Sequence, residues 1–353
     1  MPRSTMKAMV LRELGGPVHL EEMPVPTIGR TDALLRVRAT GVGLTVVIMM
    51  ANPGVATAYP RIPGHEIAGE VVEVGSEVQN VKSGDRVAFH FYLTCGVCPS
   101  CRSGRETLCQ NFRGYVGIAI NGGYAEYVAV PARNLCPIPQ GVSDLEAAVA
   151  ADAIATPLHA CREEARIGPG DRVLIVGAGG GVGIHAVQMA KLCGGWVLAA
   201  DLTGEKLEGA KAVGADEPID VRRAELSAQV LAVTDGRGVE AAIDFVASAE
   251  TLEACVRSLA PAGRLVIVGH RPPAVFQADP TFRVDPTLVL RKNLEIHGSR
   301  YVSLTEIGQT LELLRQRQLR AVVTRTFPLE EAEVAHRLIR ENALVGRAAL
   351  LFP

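Results

Sequence analysis

The sequence predicts an α/β chain of two domains, a doubly wound parallel sheet joined to a β-rich domain. Three observations predict it. The 353 residues exceed one ordinary core and suit two. Up to about residue 150, short β-like runs such as LLRVRAT, IAGEVVEVG, DRVAFHFY and GYAEYVAV are broken by Gly, Pro and Asp, as in a largely antiparallel, barrel-like unit. From about residue 151, buried strands alternate with amphipathic helices, the pattern of a parallel sheet covered on both faces.

Each element of the second part has its own signal. DRVLIVG (171–177) is a continuous apolar strand. GIHAVQMAKLCG (183–194) has helical spacing and a glycine stop. WVLAAD (196–201) reads as a strand and EKLEGAKAVGA (205–215) as a helix. AAIDFVA and GRLVIVG continue the alternation. LTEIGQTLELLRQRQL reads as a helix, and RTFPL and GRAALLF as short strands able to complete either domain.

Composition excludes several functions. A hydrophobic fraction of 48% allows a large interior and argues against disorder. The formal charge of −2 gives no reason to expect nucleic acid or an anionic membrane. Aromatic content of 4% is too low for a platform that stacks single strands. No segment reaches about 18 uninterrupted apolar residues, and MPRSTMKAMVLRELGG lacks a signal-peptide core. A cytoplasmic protein is expected.

The stretch VGAGGGVGIHAVQ (176–188) joins a strand to a helix. Its glycines, Gly177, Gly179, Gly180, Gly181 and Gly183 with Val182 among them, let main-chain N–H groups approach a pyrophosphate at the helix N-terminus. Asp201 closes the next strand. A carboxylate there accepts the ribose hydroxyls of NAD and repels the extra phosphate of NADP. Thr203 and Gly204 offer no guanidinium for such a phosphate.

CGVCPSCRSGRETLC places Cys95, Cys98, Cys101 and Cys109 at C-x2-C-x2-C-x7-C. Four thiolates on one short loop close a tetrahedron round zinc and leave no open position, so the role is structural. An iron–sulfur cluster or unbound thiols are the competing readings. Cys136, Cys161, Cys193 and Cys255 are scattered and read as small buried residues.

PGHEIAGEVVEVG, the four-cysteine lobe, NGGYAEY and the glycine loop together resemble the zinc-dependent alcohol dehydrogenases of the medium-chain dehydrogenase/reductase family. The likeness runs from KAMVL at 7–11 to GRAALL at 346–351. It implies a GroES-like catalytic domain from 1–150 and 296–353, and a Rossmann NAD-binding domain from 151–295. It also implies NAD(P)-dependent interconversion of an alcohol and a carbonyl in a cleft between the domains, and a homodimer or homotetramer. Nicotinamide contacts are implied for Thr156, Val268, Gly269 and His270, and a pyrophosphate contact for Arg347. Roles near the cofactor or substrate are also raised for His159 and Arg300. The apolar stretch Ile48–Pro63 helps line the family's substrate cleft, which suggests an apolar or aromatic substrate.

The resemblance falters at the catalytic metal. Thr40 stands where the family has a cysteine ligand, and Val46 where it has a supporting aspartate. Ile48 replaces a histidine that extends the proton relay, while Thr45 matches the relay hydroxyl. His65 and Glu66 match the GHE pair, and Asp152 the third ligand. Two expectations follow. His65, Glu66 and Asp152 hold a weak catalytic zinc with one open position, or the site works without an ion and stabilises charge through donors such as Thr40 and Thr45. The second suits reduction of an activated C=C or C=N bond. A third reading, an NAD-binding protein without catalysis, is permitted by the changes at Thr40 and Val46.

Overall fold

The computed structural model describes residues 4–52, 58–279 and 281–353. The chain forms two units, one from 1–155 with 302–353 and one from 156–301.

Among the described residues the first unit carries nine strands, seven of them ahead of the second unit. These are β1 (Thr5–Leu11), β2 (Val18–Pro24), β3 (Asp32–Val42), β4 (Glu66–Val74), β5 (Arg86–Phe89), β6 (Tyr127–Pro131) and β7 (Leu135–Pro137). The second unit contributes β8 (Arg172–Val176), β9 (Trp196–Asp201), β10 (Glu217–Asp220), β11 (Val239–Asp244), β12 (Leu259–Ile267) and β13 (Glu295–Gly298). The chain then returns to the first unit for β14 (Val323–Pro328) and β15 (Arg347–Leu351).

In the first unit β1 and β2 pair antiparallel, and a larger sheet runs β14-β15-β3-β4-β5-β7 with β6 also on β3. Strand β3 lies inside this sheet, and its apolar residues Ala33, Leu34, Leu35, Val37, Ala39 and Val42 are buried while Arg36 is exposed. Strand β15, much further along the chain, lies directly against it, Leu350 opposite Thr40. In the second unit all six strands are parallel in the order β10-β9-β8-β11-β12-β13. The order reverses between β8 and β11, where ligands bind at the carboxyl ends of such sheets.

Both domain boundaries lie slightly beyond those expected. The helical segment from Asp144 continues through wider, π-type turns at Ala150–Ile154. Ala153 there donates its N–H to Glu66 Oε1 at 3.2 Å, which keeps this stretch with the first unit. Strand β13 pairs with β12, so 295–298 belong to the second unit.

Two buried polar arrangements brace the first unit. The Tyr124 hydroxyl donates to His336 Nε2 at 3.1 Å, and His336 Nδ1 bonds Glu333 at 3.3 Å. His90 Nε2 donates to the Val302 carbonyl at 2.9 Å, and Asn134 Nδ2 donates to the carbonyls of His90 and Tyr92. Burial lowers the His90 imidazole to about 4, against the pull of the Val302 carbonyl and Glu306. The unfolded chain therefore binds the proton that the fold refuses. Stability is full above about pH 6.5 and declines as pH falls toward 4, by on the order of 3 kcal/mol. Thermal melts across that window should show the decline for the wild type and a shallower one for His90→Gln.

Candidate active site

The candidate catalytic cluster is assembled where β15, β3 and β4 lie side by side. Thr40 sits near the end of β3, Glu66 opens β4, and Arg347 opens β15. His65 immediately precedes β4, and Asp152 comes from the π-type turns. His65, Glu66, Asp152, Thr40 and Arg347 are all buried. Thr45, in the first turn of the helix Leu44–Ala51, is half-buried, and Val46 and Ile48 on that helix are buried.

The polar groups of this cluster are already engaged. The Arg347 Nε donates to Glu66 Oε2 at 3.1 Å, and its Nη2 makes a second bond to Glu66 Oε1. Arg347 Nη2 also lies 4.0 Å from Asp152 Oδ2. His65 Nε2 donates to Asp152 Oδ2 at 3.2 Å, with the Phe91 ring centroid 4.7 Å from the imidazole. The Thr40 hydroxyl donates to the Gly123 carbonyl at 3.0 Å. Burial pushes the Glu66 carboxyl up, and Arg347 opposes it. For Arg347 burial works against the charge, but Glu66 and Asp152 outweigh it and the guanidinium is held above its usual value. Gly43 makes this possible: a Cβ there would fall 2.0 Å from Arg347 Nη1.

These residues do not fit a tightly held catalytic zinc. His65, Glu66 and Asp152 bring donor atoms within 4.8 Å of one another, but a catalytic zinc takes three protein ligands. Both Glu66 oxygens are bonded to Arg347, and the Thr40 hydroxyl points its proton at a carbonyl. Only His65 and Asp152 remain, already bonded to each other.

The cysteine lobe does fit zinc. Sulfur–sulfur separations are 4.0 Å for Cys95–Cys101, 3.5 Å for Cys98–Cys101, 4.0 Å for Cys98–Cys109 and 3.6 Å for Cys95–Cys109. A tetrahedron with Zn–S bonds of about 2.3 Å has edges of about 3.8 Å. Main-chain N–H groups of Val97 and Cys98 draw the Cys95 thiol down to about 6, and burial drives Cys101 up to about 12. A dication among the four sulfurs would offset that penalty. Cys136, Cys161, Cys193 and Cys255 lie apart from this lobe, and Cys161 and Cys255 are fully buried.

In the second unit the glycine loop leads from β8 into the helix Gly183–Leu192. A Cβ on Gly183 would fall 2.1 Å from the Gly177 carbonyl oxygen, so only glycine closes this turn. Asp201, at the end of β9, is held by Gly179 N–H at 2.8 Å and Leu202 N–H at 2.7 Å. Lys206 was not singled out by sequence. It is buried in the first turn of the helix Gly204–Ala212 and feels the Asp201 charge, while burial lowers its ammonium. A lysine so soon after the ribose acid was the available signal. Thr156 is buried, Val268 and Gly269 are half-buried with their N–H groups on the Asp244 carbonyl, and His270 is exposed. His159 pairs with Glu164 at 3.4 Å, and Arg300 is exposed.

A narrow apolar slot in the first unit is lined by Val46, Met49, Met50 and Ile118, with His65 in its wall. Part of the Ile48–Pro63 stretch, residues 53–57, lies outside the described residues.

Comparison with known proteins places this architecture. The profile of the alcohol dehydrogenase GroES-like domain matches residues 29–140, and that of the zinc-binding dehydrogenase domain matches 181–316. An NAD-dependent alcohol dehydrogenase of Sulfurisphaera tokodaii is 33% identical over 355 residues, covering 98% of this chain and 100% of the relative. The chain belongs to the zinc-type medium-chain dehydrogenase/reductase family. It is an NAD-dependent oxidoreductase of that family, and zinc is among its cofactors. An L-threonine 3-dehydrogenase of Pyrococcus horikoshii is 31% identical, covering 95% of each chain. The crystal structure of AibC superposes with a TM-score of 0.91 at 37% identity, covering 99% of this chain and 96% of that one.

Two outcomes test this site. Metal analysis of the purified enzyme should count one zinc per chain, retained in His65→Ala and lost in Cys98→Ser. Arg347→Leu strands a buried carboxylate and should destabilise the fold by about 3–5 kcal/mol in denaturant titrations.

Proposed function

We propose that this enzyme interconverts an alcohol and its carbonyl compound, with NAD as hydride carrier and a small substrate of apolar body. The observation that carries this reading is the buried His65–Asp152 bond in the wall of an apolar slot. Oxidation would remove a hydride from the carbinol carbon and the proton from its hydroxyl, and reduction would return both. NAD supplies the hydride chemistry when bound.

The chain's own residues do the rest. His65, oriented by Asp152, gives or takes the proton at the substrate oxygen. Arg347 lies 4.0 Å from Asp152 and keeps positive charge beside that carboxylate. Thr45, half-buried in the first helical turn, is the further hydroxyl available to the reacting oxygen. Thr40 is a brace, since its proton is spent on Gly123. In the second unit the glycine loop holds the pyrophosphate, and Asp201 with Lys206 holds the adenine ribose. The NAD-dependent alcohol dehydrogenase of Sulfurisphaera tokodaii supports the same reading.

One observation favours a second reaction, reduction of an activated C=C or C=N bond: the donor set leaves no ligand shell for a catalytic zinc. A matched panel of ketones, aldehydes and enones with NADH separates the two, and turnover confined to enones would displace the first reading.

A homodimer belongs to this proposal. No helix among the described residues is long and apolar enough to cross a membrane. Strand β13 is the open edge of the parallel sheet, with Ile296 43% exposed on it. We place the enzyme in the cytoplasm, where reducing conditions keep four thiols free for zinc.

His65→Ala should lower kcat by about 10²-fold or more with NAD affinity kept, as measured by steady-state kinetics and NADH fluorescence. Asp201→Ala should raise the KM for NAD about tenfold and lower that for NADP. Unchanged cofactor preference would remove Asp201 from the ribose site.

A further inference from the structure

The slot beside His65 has a polar side that the catalytic reading leaves without work. Tyr59 and Arg61 line it with the apolar side chains. The Tyr59 hydroxyl and the Arg61 Nε are both buried, and neither has a hydrogen-bond partner among the described residues. This is not a loosely placed arginine. Arg61 N–H donates to the Leu11 carbonyl at 2.8 Å, and Leu11 N–H donates to the Arg61 carbonyl at 2.7 Å. Asn121 Oδ1 accepts from Ile62 N–H at 3.1 Å and from Arg61 Nη1 at 3.4 Å. The backbone is pinned and one guanidinium nitrogen is tethered, yet the Nε–H has nothing to meet.

No acidic side chain pairs with Arg61 among the described residues. Burial lowers the Arg61 guanidinium and raises the Tyr59 phenol, and the one charge interaction on each is with the other. A half-buried cation with no acidic partner and a buried hydroxyl with no acceptor among the described residues both gain from the same visitor, an anion. Two donors lining one slot, one N–H and one O–H, suit the two oxygens of a carboxylate. A phosphate would bring about two charges against a single cation and more oxygens than these donors serve.

We propose that Tyr59 and Arg61 form a carboxylate-recognition end of the substrate slot. The substrate is then a hydroxy acid or its oxo acid, with the reacting carbon toward His65, an apolar middle along Met49, Met50 and Val46, and the acid group on Arg61. This rests on the alcohol–carbonyl reading and narrows it. The substrate expected from sequence was apolar or aromatic, because the Ile48–Pro63 stretch carries little charge.

The test uses the full-length enzyme with NADH and two series of aldehydes of matched chain length, one neutral and one ending in a carboxylate. The wild type should favour the acid series in kcat/KM by about tenfold or more. In Arg61→Gln that preference should collapse toward unity, chiefly through the KM of the acids, and in Tyr59→Phe it should shrink several-fold. Arg61→Lys, which keeps the charge, should restore part of it. Equal kcat/KM for both series in the wild type, or a parallel fall of both in Arg61→Gln with the ratio kept, overturns the proposal. A binding assay separates this failure from that of the reaction itself. Butyrate should raise the melting temperature of the NAD-bound wild type more than butyramide does, and Arg61→Gln should erase the difference. If neither series turns over yet butyrate still discriminates, the reaction was misread and the acid site stands. If butyrate and butyramide act alike on the wild type, the acid site is gone.

Discussion

The buried pair between Arg347 and Glu66 organises the first unit. Two opposite charges taken out of water lose hydration that only close, well-aligned contact returns. The contact here is bidentate, and the chain is shaped to permit it. Gly43 leaves room for the guanidinium, and Gly41 leaves room for the carboxylate, whose Oε2 would lie 1.7 Å from a Cβ. Glu66 further accepts the Ala153 N–H, and that bond ties the π-type turns, and with them Asp152, to β4. His65 takes its orientation from Asp152. The positions of His65 and Asp152 therefore follow from one ion pair.

The second unit obeys a different constraint. Its loops must bring bare backbone to an anion, so it relies on residues without side chains and on a carboxylate fixed by amides. Asp201 is held by two N–H groups, which leaves its carboxylate little conformational freedom. Lys206 is packed beside it and partly neutralises the local charge.

Much of this was legible in the sequence, and the legible part is local. Strands β8 and β9, the glycine loop between them and the cysteine lobe each lie within a few tens of residues and carry their own spacing. Asp201 could be named because it closes a strand at a set distance from the loop. What could not be read depends on partners far along the chain. Arg347 and Glu66 are 281 positions apart, and no periodicity links them. Thr40 was a candidate donor to substrate, and only the fold shows its proton turned to Gly123. The boundary near 295 was drawn short because a four-residue edge strand has too little pattern to announce itself.

The first unit is discontinuous, with the second unit inserted between its two segments. A ribosome releases β3 and β4 first, then the whole of the second unit, and only after it the strand that begins with Arg347. Through most of synthesis Glu66 has no cation, and its strand cannot be sealed from water on favourable terms. The continuous unit has no such debt and is free to form while translation proceeds. The pairing of Glu66 with its cation thus waits until the second unit has been made, so a nascent polypeptide holds a complete second unit before this ion pair can form.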